Sequence, residues 1–310
     1  MQTRALGSSD NTLSVVGLGT NYVGGHNLYA NVDEDEGVRL VQQALDLGVT
    51  HIDTADVYGT GRSEELVGKA IAGRRNDVIL ATKGGNMFTE GRSGPNNDPK
   101  YLRNALELSL KRLNVDHVDL YYIHRPDGVT PPEDAYGELM RFKDEGLIGS
   151  GGLSNFDLPD MKRALTAGAV DALQSQYNLL QRQVEAEILP FCQANNIAFV
   201  PWGPLAYGLL GGKYTREYQL PENDWRHRSG VFGPEAYSQN MDIVDGLKAL
   251  AAQWGAEPAH IAVQWLLGKP SVGSVITGAK TTEQVVSNVA SSALSLSSDQ
   301  LAQVDALVAA

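Results

Sequence analysis

The sequence contains very little cysteine and no long apolar run. Cys192 is the one cysteine among 310 residues, which excludes an intramolecular disulfide and a metal site built from several thiolates. No stretch approaches the roughly 18 apolar residues of a membrane-spanning helix, and the polar segment 1–10 lacks the apolar core of a signal peptide. These absences favour a cytoplasmic protein with no membrane partner.

The sequence also contains fewer basic than acidic residues. The 25 Lys and Arg residues against 37 Asp and Glu residues give a net charge of −12, so the chain as a whole is repelled by nucleic acid and by anionic lipid. We therefore expect no nucleic-acid partner, and any bound phosphate must meet local donors. A monomer or a small homo-oligomer is expected.

Eight short apolar runs alternate with amphipathic segments along the chain. The runs predict strands at 15–18, 49–53, 78–82, 118–123, 148–153, 172–174, 197–200 and 272–276, with helices including 36–47, 63–71, 101–113 and 184–195. Because no Pro- or Ser-rich linker divides the chain, we predict one α/β domain over residues 1–310, a (β/α)8 TIM barrel. A β-hairpin around the turn at 7–11, an insertion at about 207–239 and an extra carboxyl-terminal helix near 298–308 complete the prediction.

A doubly wound sheet is the alternative fold. Its dinucleotide fingerprint requires a third glycine where residues 17–22 place Tyr22. A P-loop fails likewise, since Lys213 is followed by Tyr214 rather than by Ser or Thr. The barrel is therefore preferred, and a barrel assembles its site from the carboxyl ends of its strands.

Most of the residues that close the predicted strands are polar. They are Asp53, Lys83, His124, Ser154 with Asn155, Gln176, Trp202 and Gly278. A lone histidine and one or two carboxylates fall short of the three or four ligands of a zinc site, so metal binding is the less favoured alternative. An acid, a lysine and a histidine at one mouth, with Tyr58 on the following turn, instead indicate catalysis.

These side chains suit proton donation to a developing alkoxide. A tyrosine such as Tyr58 starts with a pKa near 10, and a neighbouring lysine cation favours its ionised form. Lys83 would supply that charge, Asp53 would keep Lys83 protonated, and His124 could hydrogen-bond the carbonyl oxygen. Such a set reduces nothing by itself, so a hydride donor is required. A Schiff-base role for Lys83 is an alternative, although the adjacent acid favours a charged lysine.

The sequence resembles the aldo-keto reductase family over essentially its whole length. The matching motifs are Asp53-Thr-Ala-x-x-Tyr58-Gly, Ala81-Thr-Lys83-Gly, Tyr122-Ile-His124, Gly152-Leu-Ser-Asn155-Phe, Gln176-Tyr-Asn178 and Pro204-Leu-x-x-Gly208-x-Leu210-x-Gly212-Lys213. Residues 17–21, 24–28 and 277–280 look most like the bacterial branch that includes the reductase associated with inositol catabolism. The resemblance implies a (β/α)8 barrel with its hairpin over the bottom, no metal, and reversible hydride transfer between NADPH and an aldehyde or ketone.

The resemblance also implies residue roles. Tyr58, Asp53, Lys83 and His124 match the catalytic tetrad, with Tyr58 as the acid. The residues matched to the cofactor are Gly19, Thr20, Asp53, Ser154, Asn155, Gln176, Trp202, Gly203, Pro204, Leu205, Gly208, Leu210, Gly212, Lys213, Gly278, Lys280, Gln284 and Asn288. Among them the amide and hydroxyl groups would hold the nicotinamide carboxamide, Trp202 would stack on the ring, and the glycines would permit close approach to the pyrophosphate.

Two departures from the family pattern affect specificity. Lys280 occupies a position where many relatives carry arginine. A lysine binds phosphate as a point charge, without the two parallel hydrogen bonds of an arginine. The preference for NADP(H) would then be weaker, and NAD(H) use is possible. Arg125 replaces a common apolar or aromatic residue; it would face a polar or anionic substrate or a surface acid. Candidate substrate residues are Tyr22, Asn27, Phe88 and Arg125, with Asn21, Tyr29, Met87 and Arg226 nearby.

Two functions follow from the resemblance. The first is a reductase of small carbonyl compounds. The second is a slow-turnover NADP(H)-binding redox sensor, like the family's potassium-channel beta subunits, which keep the same tetrad. The sequence shows no partner-binding extension, which favours the enzyme.

Overall fold

A computed structural model describes residues 1–89, 92–222 and 224–309, without the side chains of residues 88, 89, 92 and 309. The strands are β1 Thr3–Ala5, β2 Thr12–Ser14, β3 Val16–Gly19, β4 His51–Asp53, β5 Ile79–Gly84, β6 Asn86–Thr89, β7 Arg92–Pro95, β8 Val118–Ile123, β9 Ile148–Ser154, β10 Ala172–Gln176, β11 Ala198–Trp202 and β12 Val275–Gly278. The α-helices are α1 Glu34–Asp46, α2 Arg62–Ala70, α3 Pro99–Leu113, α4 Pro132–Asp144, α5 Leu158–Ala164, α6 Ile188–Ala194, α7 Pro234–Trp254, α8 Pro258–Leu267, α9 Thr282–Ala290 and α10 Ser298–Ala309.

Eight parallel strands form the centre of the protein in the order β11-β10-β9-β8-β5-β4-β3-β12. The two ends of the sheet meet where Phe199 of β11 forms a parallel bridge with Val272, which lies just before β12. The Phe199 amide also donates a hydrogen bond of 2.8 Å to the Ser271 carbonyl. The sheet therefore closes into a barrel. The predicted (β/α)8 fold is confirmed, and each of the eight predicted strands overlaps an observed one.

The helices follow from the amphipathic pattern that predicted them. In α1 the apolar Val38, Val41 and Leu45 are buried on the face toward the strands. The carboxylate of Asp33 accepts a hydrogen bond of 2.9 Å from the Glu36 amide and caps the helix. This packing repeats around the barrel and forms the larger core, between the sheet and the helices.

The amino-terminal hairpin of β1 and β2 closes one end of the barrel, as the family resemblance implied. Leu6 and Leu13 are fully buried and join a second core of inward-facing strand residues. Gly7 has a φ of +57°, and a β-carbon there would lie 2.2 Å from the carbonyl oxygen of Asp171. Since Asp171 directly precedes β10, the hairpin covers the amino-terminal ends of the strands and leaves the carboxyl ends open for a site.

Three elements differ from the sequence-based prediction. The predicted helix 184–195 is a short 3-10 turn, Gln183–Glu185, followed by α6; Pro190 lacks an amide hydrogen and is tolerated only in the first turn of a helix, so α6 begins near it. The predicted insertion 207–239 ends inside a long helix, α7, which begins at Pro234. The hairpin of β6 and β7 was missed, and it follows β5 directly.

In the part of the chain that the structure describes, no helix has the length and apolar character needed to cross a bilayer.

Candidate active site

A buried ion pair lies at the carboxyl ends of β4 and β5. Asp53 closes β4 and is 2% exposed, and Lys83 in β5 is fully buried. The Lys83 ammonium contacts one carboxylate oxygen of Asp53 and donates a hydrogen bond of 2.9 Å to the Thr54 carbonyl. The other carboxylate oxygen accepts a hydrogen bond of 2.8 Å from the side-chain amide of Gln174. Both charges are thus well satisfied, which a buried pair requires.

Tyr58 lies on the turn after β4, beside this pair. The Lys83 ammonium is 5.4 Å from the centre of the Tyr58 ring. Burial raises the pKa of Tyr58, the nearby Lys83 charge opposes that rise, and the Asp53 charge adds to it. Burial also disfavours the charged form of Lys83, but Asp53 and Tyr58 outweigh it and hold the pKa of Lys83 above its usual value. Lys83 therefore stays protonated and can stabilise a developing phenolate.

His124 completes the group beside Tyr58. The two rings meet edge to face, with their centres 6.2 Å apart. Burial first, and then the charges of Lys83 and Arg125, hold the pKa of His124 well below its usual range. His124 is therefore a neutral imidazole at physiological pH, and its Nδ1 atom has no hydrogen-bond partner within the described residues. The structure brings the four predicted catalytic side chains together at the barrel mouth.

A polar shelf continues from His124 to β11. The Asn155 amide nitrogen donates to the His124 carbonyl at 3.1 Å and to the Ser154 hydroxyl at 2.9 Å. The Asn155 side-chain oxygen accepts from the Trp202 indole at 3.1 Å. Asn155 holds this position with a φ of +60°, a left-handed conformation that asparagine tolerates better than most residues. Ser154, Asn155 and Trp202 thus form one connected surface beside His124.

The two glutamines of β10 are differently placed. Gln176, the predicted carboxamide ligand, donates its side-chain amide to Gln181 and to the Tyr207 hydroxyl, each at 2.8 Å. Gln174, which sequence reasoning did not single out, lies opposite Ser154 in the strand register and bonds Asp53. Alternation along a strand places residues 174 and 176 on the same face, and this signal would have identified Gln174.

The predicted pyrophosphate loop follows β11. Gly203, Gly208 and Gly212 all have positive φ angles, as do Ala206 and Tyr207. A β-carbon at Gly203 would meet no atom within 4 Å, so this backbone faces open space. Pro204 and Leu210 are buried, Leu205 is partly buried, and Lys213 is exposed at the end of the loop. The amides of Ala206 and Gly208 bond the carbonyls of Gly203 and Leu205 within the loop, so the open backbone at Gly203 is the part that a pyrophosphate could approach.

The predicted adenosine end of the site lies between β12 and α9. The Lys280 amide donates to the Gln284 side chain at 2.7 Å, and the Asn288 side chain donates to the Gly278 carbonyl at 3.0 Å. The Lys280 ammonium lies 4.8 Å from the centre of the Tyr29 ring, a cation–π distance. Gln284 and Asn288 thus shape the backbone at 278–280.

Gly19 and Thr20 stand at the end of β3. Gly19 packs against β12, where a β-carbon would lie 2.7 Å from an Ile276 methyl carbon. The Thr20 hydroxyl is fully buried and donates to the Asp53 carbonyl at 3.0 Å. The Thr20 side chain therefore supports the Asp53 backbone.

The candidate substrate residues lie in different environments in the structure. Tyr22 packs edge-on against Tyr29, with ring centres 5.4 Å apart, and Arg125 is exposed after His124. Asn27 is exposed, but its side chain bonds the backbone on both sides of Tyr58. The side chain of Phe88 lies outside the described residues.

Fold and site together define a class, the (β/α)8-barrel oxidoreductases, with a buried acid and lysine beside a tyrosine at the mouth. The model of the aldo/keto reductase family matches residues 15–309, and the chain belongs to this family. It is similar to aldo-keto reductase YhdN of Bacillus subtilis, with 35% identity over 88% of this chain and 83% of that one. It is also similar to aldo-keto reductase yakc [NADP(+)] of Schizosaccharomyces pombe, with 33% identity over 92% and 85% of the two chains.

Two further similarities bear on function. A probable voltage-gated potassium channel subunit beta of Oryza sativa is 33% identical over 93% of this chain and 90% of that one. Among solved structures, the glycerol dehydrogenase AKR11B4 from Gluconobacter oxydans superimposes with a TM-score of 0.93 and 33% identity, covering 99% of this chain and 95% of that one.

Proposed function

We propose that the protein is an NADPH-dependent reductase of aldehydes and ketones in which Tyr58 is the general acid. The observation that carries the proposal is the buried Lys83 ammonium, held by Asp53 and placed beside the Tyr58 ring. A lysine buried for structure alone would be costly, whereas a fixed cation beside a phenol assists proton donation. The NADP(+) in the name of the yeast relative supports the choice of cofactor.

The residues present fit a dinucleotide. The Asn155 and Ser154 side chains and the Trp202 ring form one surface beside His124, and the backbone at Gly203 opens onto free space. We infer that Ser154, Asn155 and Trp202 hold the nicotinamide, with Gln174 or Gln176 beside them, and that the loop 203–213 holds the pyrophosphate. When bound, the cofactor supplies the hydride.

This chain's own residues then handle the proton. The Tyr58 hydroxyl donates its proton to the substrate oxygen as charge builds there, and the Lys83 ammonium stabilises the phenolate that remains. Asp53 keeps Lys83 charged, with Gln174 fixing the second oxygen of that carboxylate. His124, being neutral, orients the carbonyl oxygen through a hydrogen bond and supplies no second positive charge.

The state of Lys83 bears on the Schiff-base alternative. An amine that attacks a carbonyl must be unprotonated. Lys83 instead has a raised pKa because of Asp53 and Tyr58, and its ammonium is engaged by Asp53 and the Thr54 carbonyl. The electrostatic role is therefore favoured for Lys83.

We propose NADP(H) as the preferred cofactor, with Lys280 reading the 2′-phosphate. The Lys280 ammonium is held over the Tyr29 ring, and Arg226 is close enough that its charge helps to lower the pKa of Lys280, after burial. The Arg226 guanidinium is itself paired with the Asp224 carboxylate at 2.7 Å, so Lys280 is the cation that we assign to the phosphate. Since Lys280 lacks the fork of an arginine, NAD(H) use is expected to be measurable.

Small polar carbonyl compounds are the proposed substrates. The solved neighbour named a glycerol dehydrogenase supports a polyol or its carbonyl product, and Asn21 and Tyr29 place polar groups near the mouth. The branch associated with inositol catabolism stays a prediction, as does a cytoplasmic location.

The redox-sensing subunit is the second candidate, and the similarity to the rice potassium channel subunit beta is the observation that favours it. Steady-state NADPH oxidation with a panel of small aldehydes and ketones separates the two. Rapid multiple turnover supports the reductase. One slow oxidation of bound cofactor, with no substrate giving sustained turnover, would refute the reductase and support the sensor. Running the panel with NADH in parallel measures cofactor preference.

A further inference from the structure

Asn27 connects a distant loop to the turn that carries Tyr58. Its side-chain nitrogen donates a hydrogen bond of 2.9 Å to the Val57 carbonyl. Its side-chain oxygen accepts a hydrogen bond of 2.8 Å from the Gly59 amide. One amide group thus bonds the residue before Tyr58 and the residue after it, and both its donor and its acceptor are used on this backbone.

The turn itself is one that needs external support. Gly59, Thr60 and Gly61 have φ angles of 59°, 55° and 95°, three left-handed residues in succession. Thr60 is β-branched, and such a residue is strained in this conformation. The conformation therefore persists because neighbouring groups fix it.

The loop that carries Asn27 is fitted closely to this turn. A β-carbon at Gly59 would lie 1.9 Å from the Gly24 carbonyl oxygen, so the two backbones are in direct contact. The loop is anchored at the same place by Glu34, which bonds both His26 at 3.0 Å and Arg62 at 2.6 Å. Asn27 thus lies on a braced segment and is suited to hold the turn in place.

The loop also faces the reacting group. The pKa of Tyr29 is raised to about 12, first by burial and then by the nearby Tyr58. Tyr29 accepts a hydrogen bond of 3.0 Å from the Asn21 side chain. The segment 21–29 therefore lies against the Tyr58 side of the mouth, so a shift of this segment would be felt at the acid.

We propose that Asn27 is a positioning residue for Tyr58, fixing the turn 57–59 so that the phenol stays in register with Lys83 and the substrate oxygen. The inference rests on the proposed function of Tyr58 as the acid. A misplacement of about 1 Å at a reacting group can cost about 100-fold in rate. Loss of the Asn27 bridge is therefore expected to act on turnover, through Tyr58, rather than on cofactor binding.

The test begins with Asn27→Ala and Asn27→Asp. We expect Asn27→Ala to lower kcat by about 10- to 100-fold, the cost of an imperfectly placed group, while the NADPH dissociation constant changes by less than about 3-fold because Asn27 touches none of the residues assigned to the nicotinamide. Asn27→Asp keeps the acceptor for the Gly59 amide but sets a carboxylate oxygen against the Val57 carbonyl, so its kcat should also fall below that of the wild type. The alkaline limb of the kcat–pH profile should also move in Asn27→Ala, because the distance between Tyr58 and Lys83 helps to set the Tyr58 pKa.

Two control variants share features of Asn27 without its contacts. Leu28→Ala alters an exposed side chain of the same loop. Asn195→Ala removes a side-chain amide that bonds the Phe191 carbonyl at 2.9 Å, on the helix α6. Both controls should keep the wild-type kcat and pH profile. Hydrogen exchange supplies a readout without catalysis, since the Gly59 amide should lose protection in Asn27→Ala and keep it in both controls.

A double mutant decides whether Asn27 acts through Tyr58. In the Tyr58→Phe background, Asn27→Ala should lower the residual rate by less than about 3-fold, because the group that it positions is gone. The same fold loss in both backgrounds, or a wild-type kcat in Asn27→Ala, would overturn the positioning role while leaving Tyr58 as the acid. Wild-type turnover of Tyr58→Phe alone would instead reject the proposed function, and the positioning role with it.

Discussion

Replacing Lys83 with methionine should destabilise the protein as well as inactivate it. Lys83 is fully buried, and its ammonium is the only cation that contacts the Asp53 carboxylate among the described residues. Methionine keeps most of the volume and removes the charge. Asp53, 2% exposed, would then be a buried carboxylate that retains only the hydrogen bond from Gln174. Removing one partner of a buried ion pair typically costs about 3 to 5 kcal/mol.

The catalytic effect of Lys83→Met has a separate origin. Burial raises the pKa of Tyr58, and the Lys83 charge opposes that rise. Without this charge the pKa of Tyr58 should be higher still, which makes Tyr58 a weaker acid. We expect turnover to fall by at least about 100-fold, within the range for impaired acid catalysis. Urea unfolding followed by tryptophan fluorescence measures the stability, and NADPH oxidation measures the turnover.

The double variant Asp53→Asn/Lys83→Met separates the two effects. It replaces a charged pair with neutral groups of similar size, so most of the lost stability should return while turnover stays low. Gln174 can still bond an asparagine at residue 53. If Lys83→Met unfolds within about 1 kcal/mol of the wild type, or the double variant is no more stable than the single one, the reasoning about this buried pair is wrong.

Three further predictions concern Lys280, the buried His51 and Asn155. Lys280→Ala should weaken NADPH binding at least about 10-fold more than NADH binding, and equal losses in dissociation constants would show that Lys280 does not read the phosphate. Burial lowers the pKa of His51 from 6.5 to about 4. Between pH 6.5 and about pH 4 the unfolded chain therefore binds a proton at residue 51 that the folded protein does not bind. The free energy of unfolding consequently decreases as the pH falls through this range. His51→Gln should therefore gain about 3 kcal/mol relative to wild type between pH 7 and pH 4, measured by urea unfolding at both pH values; a constant difference would contradict this. Asn155→Ala removes the hydrogen bonds that hold Ser154 and Trp202, so it should raise the NADPH dissociation constant about 10-fold. A wild-type dissociation constant, measured by fluorescence titration, would contradict the assignment of Ser154, Asn155 and Trp202 to the nicotinamide.

Most of the fold was predictable because it depends on patterns that repeat. Alternating apolar runs and amphipathic helices predicted the eight barrel strands, and the turn at 7–11 predicted the hairpin. The errors fall where one residue or one contact decides. Because of Pro190, α6 begins later in the chain than we predicted. The hairpin of β6 and β7 has no strong alternation of apolar and polar residues that would predict its strands. The long helix α7 begins inside the segment 207–239, which we predicted only as an insertion.

The site was predictable in outline because strand ends meet at one mouth. Strand position alone places Asp53, Lys83 and His124 together, and the turn after β4 adds Tyr58. The sequence could not show that Asn27, thirty residues from Val57 along the chain, bonds the turn that carries Tyr58. Contacts between loops depend on backbone paths that local pattern does not encode.

The most direct test of the central claim is a single-turnover measurement with Tyr58→Phe. The variant is loaded with NADPH, mixed with an aldehyde that the wild type reduces, and followed by loss of the cofactor's absorbance. We predict a rate about 10²- to 10⁴-fold below the wild type, with an unchanged NADPH dissociation constant. A wild-type rate in this variant would show that the proton comes from another group and would contradict the role assigned to Tyr58, Lys83 and Asp53.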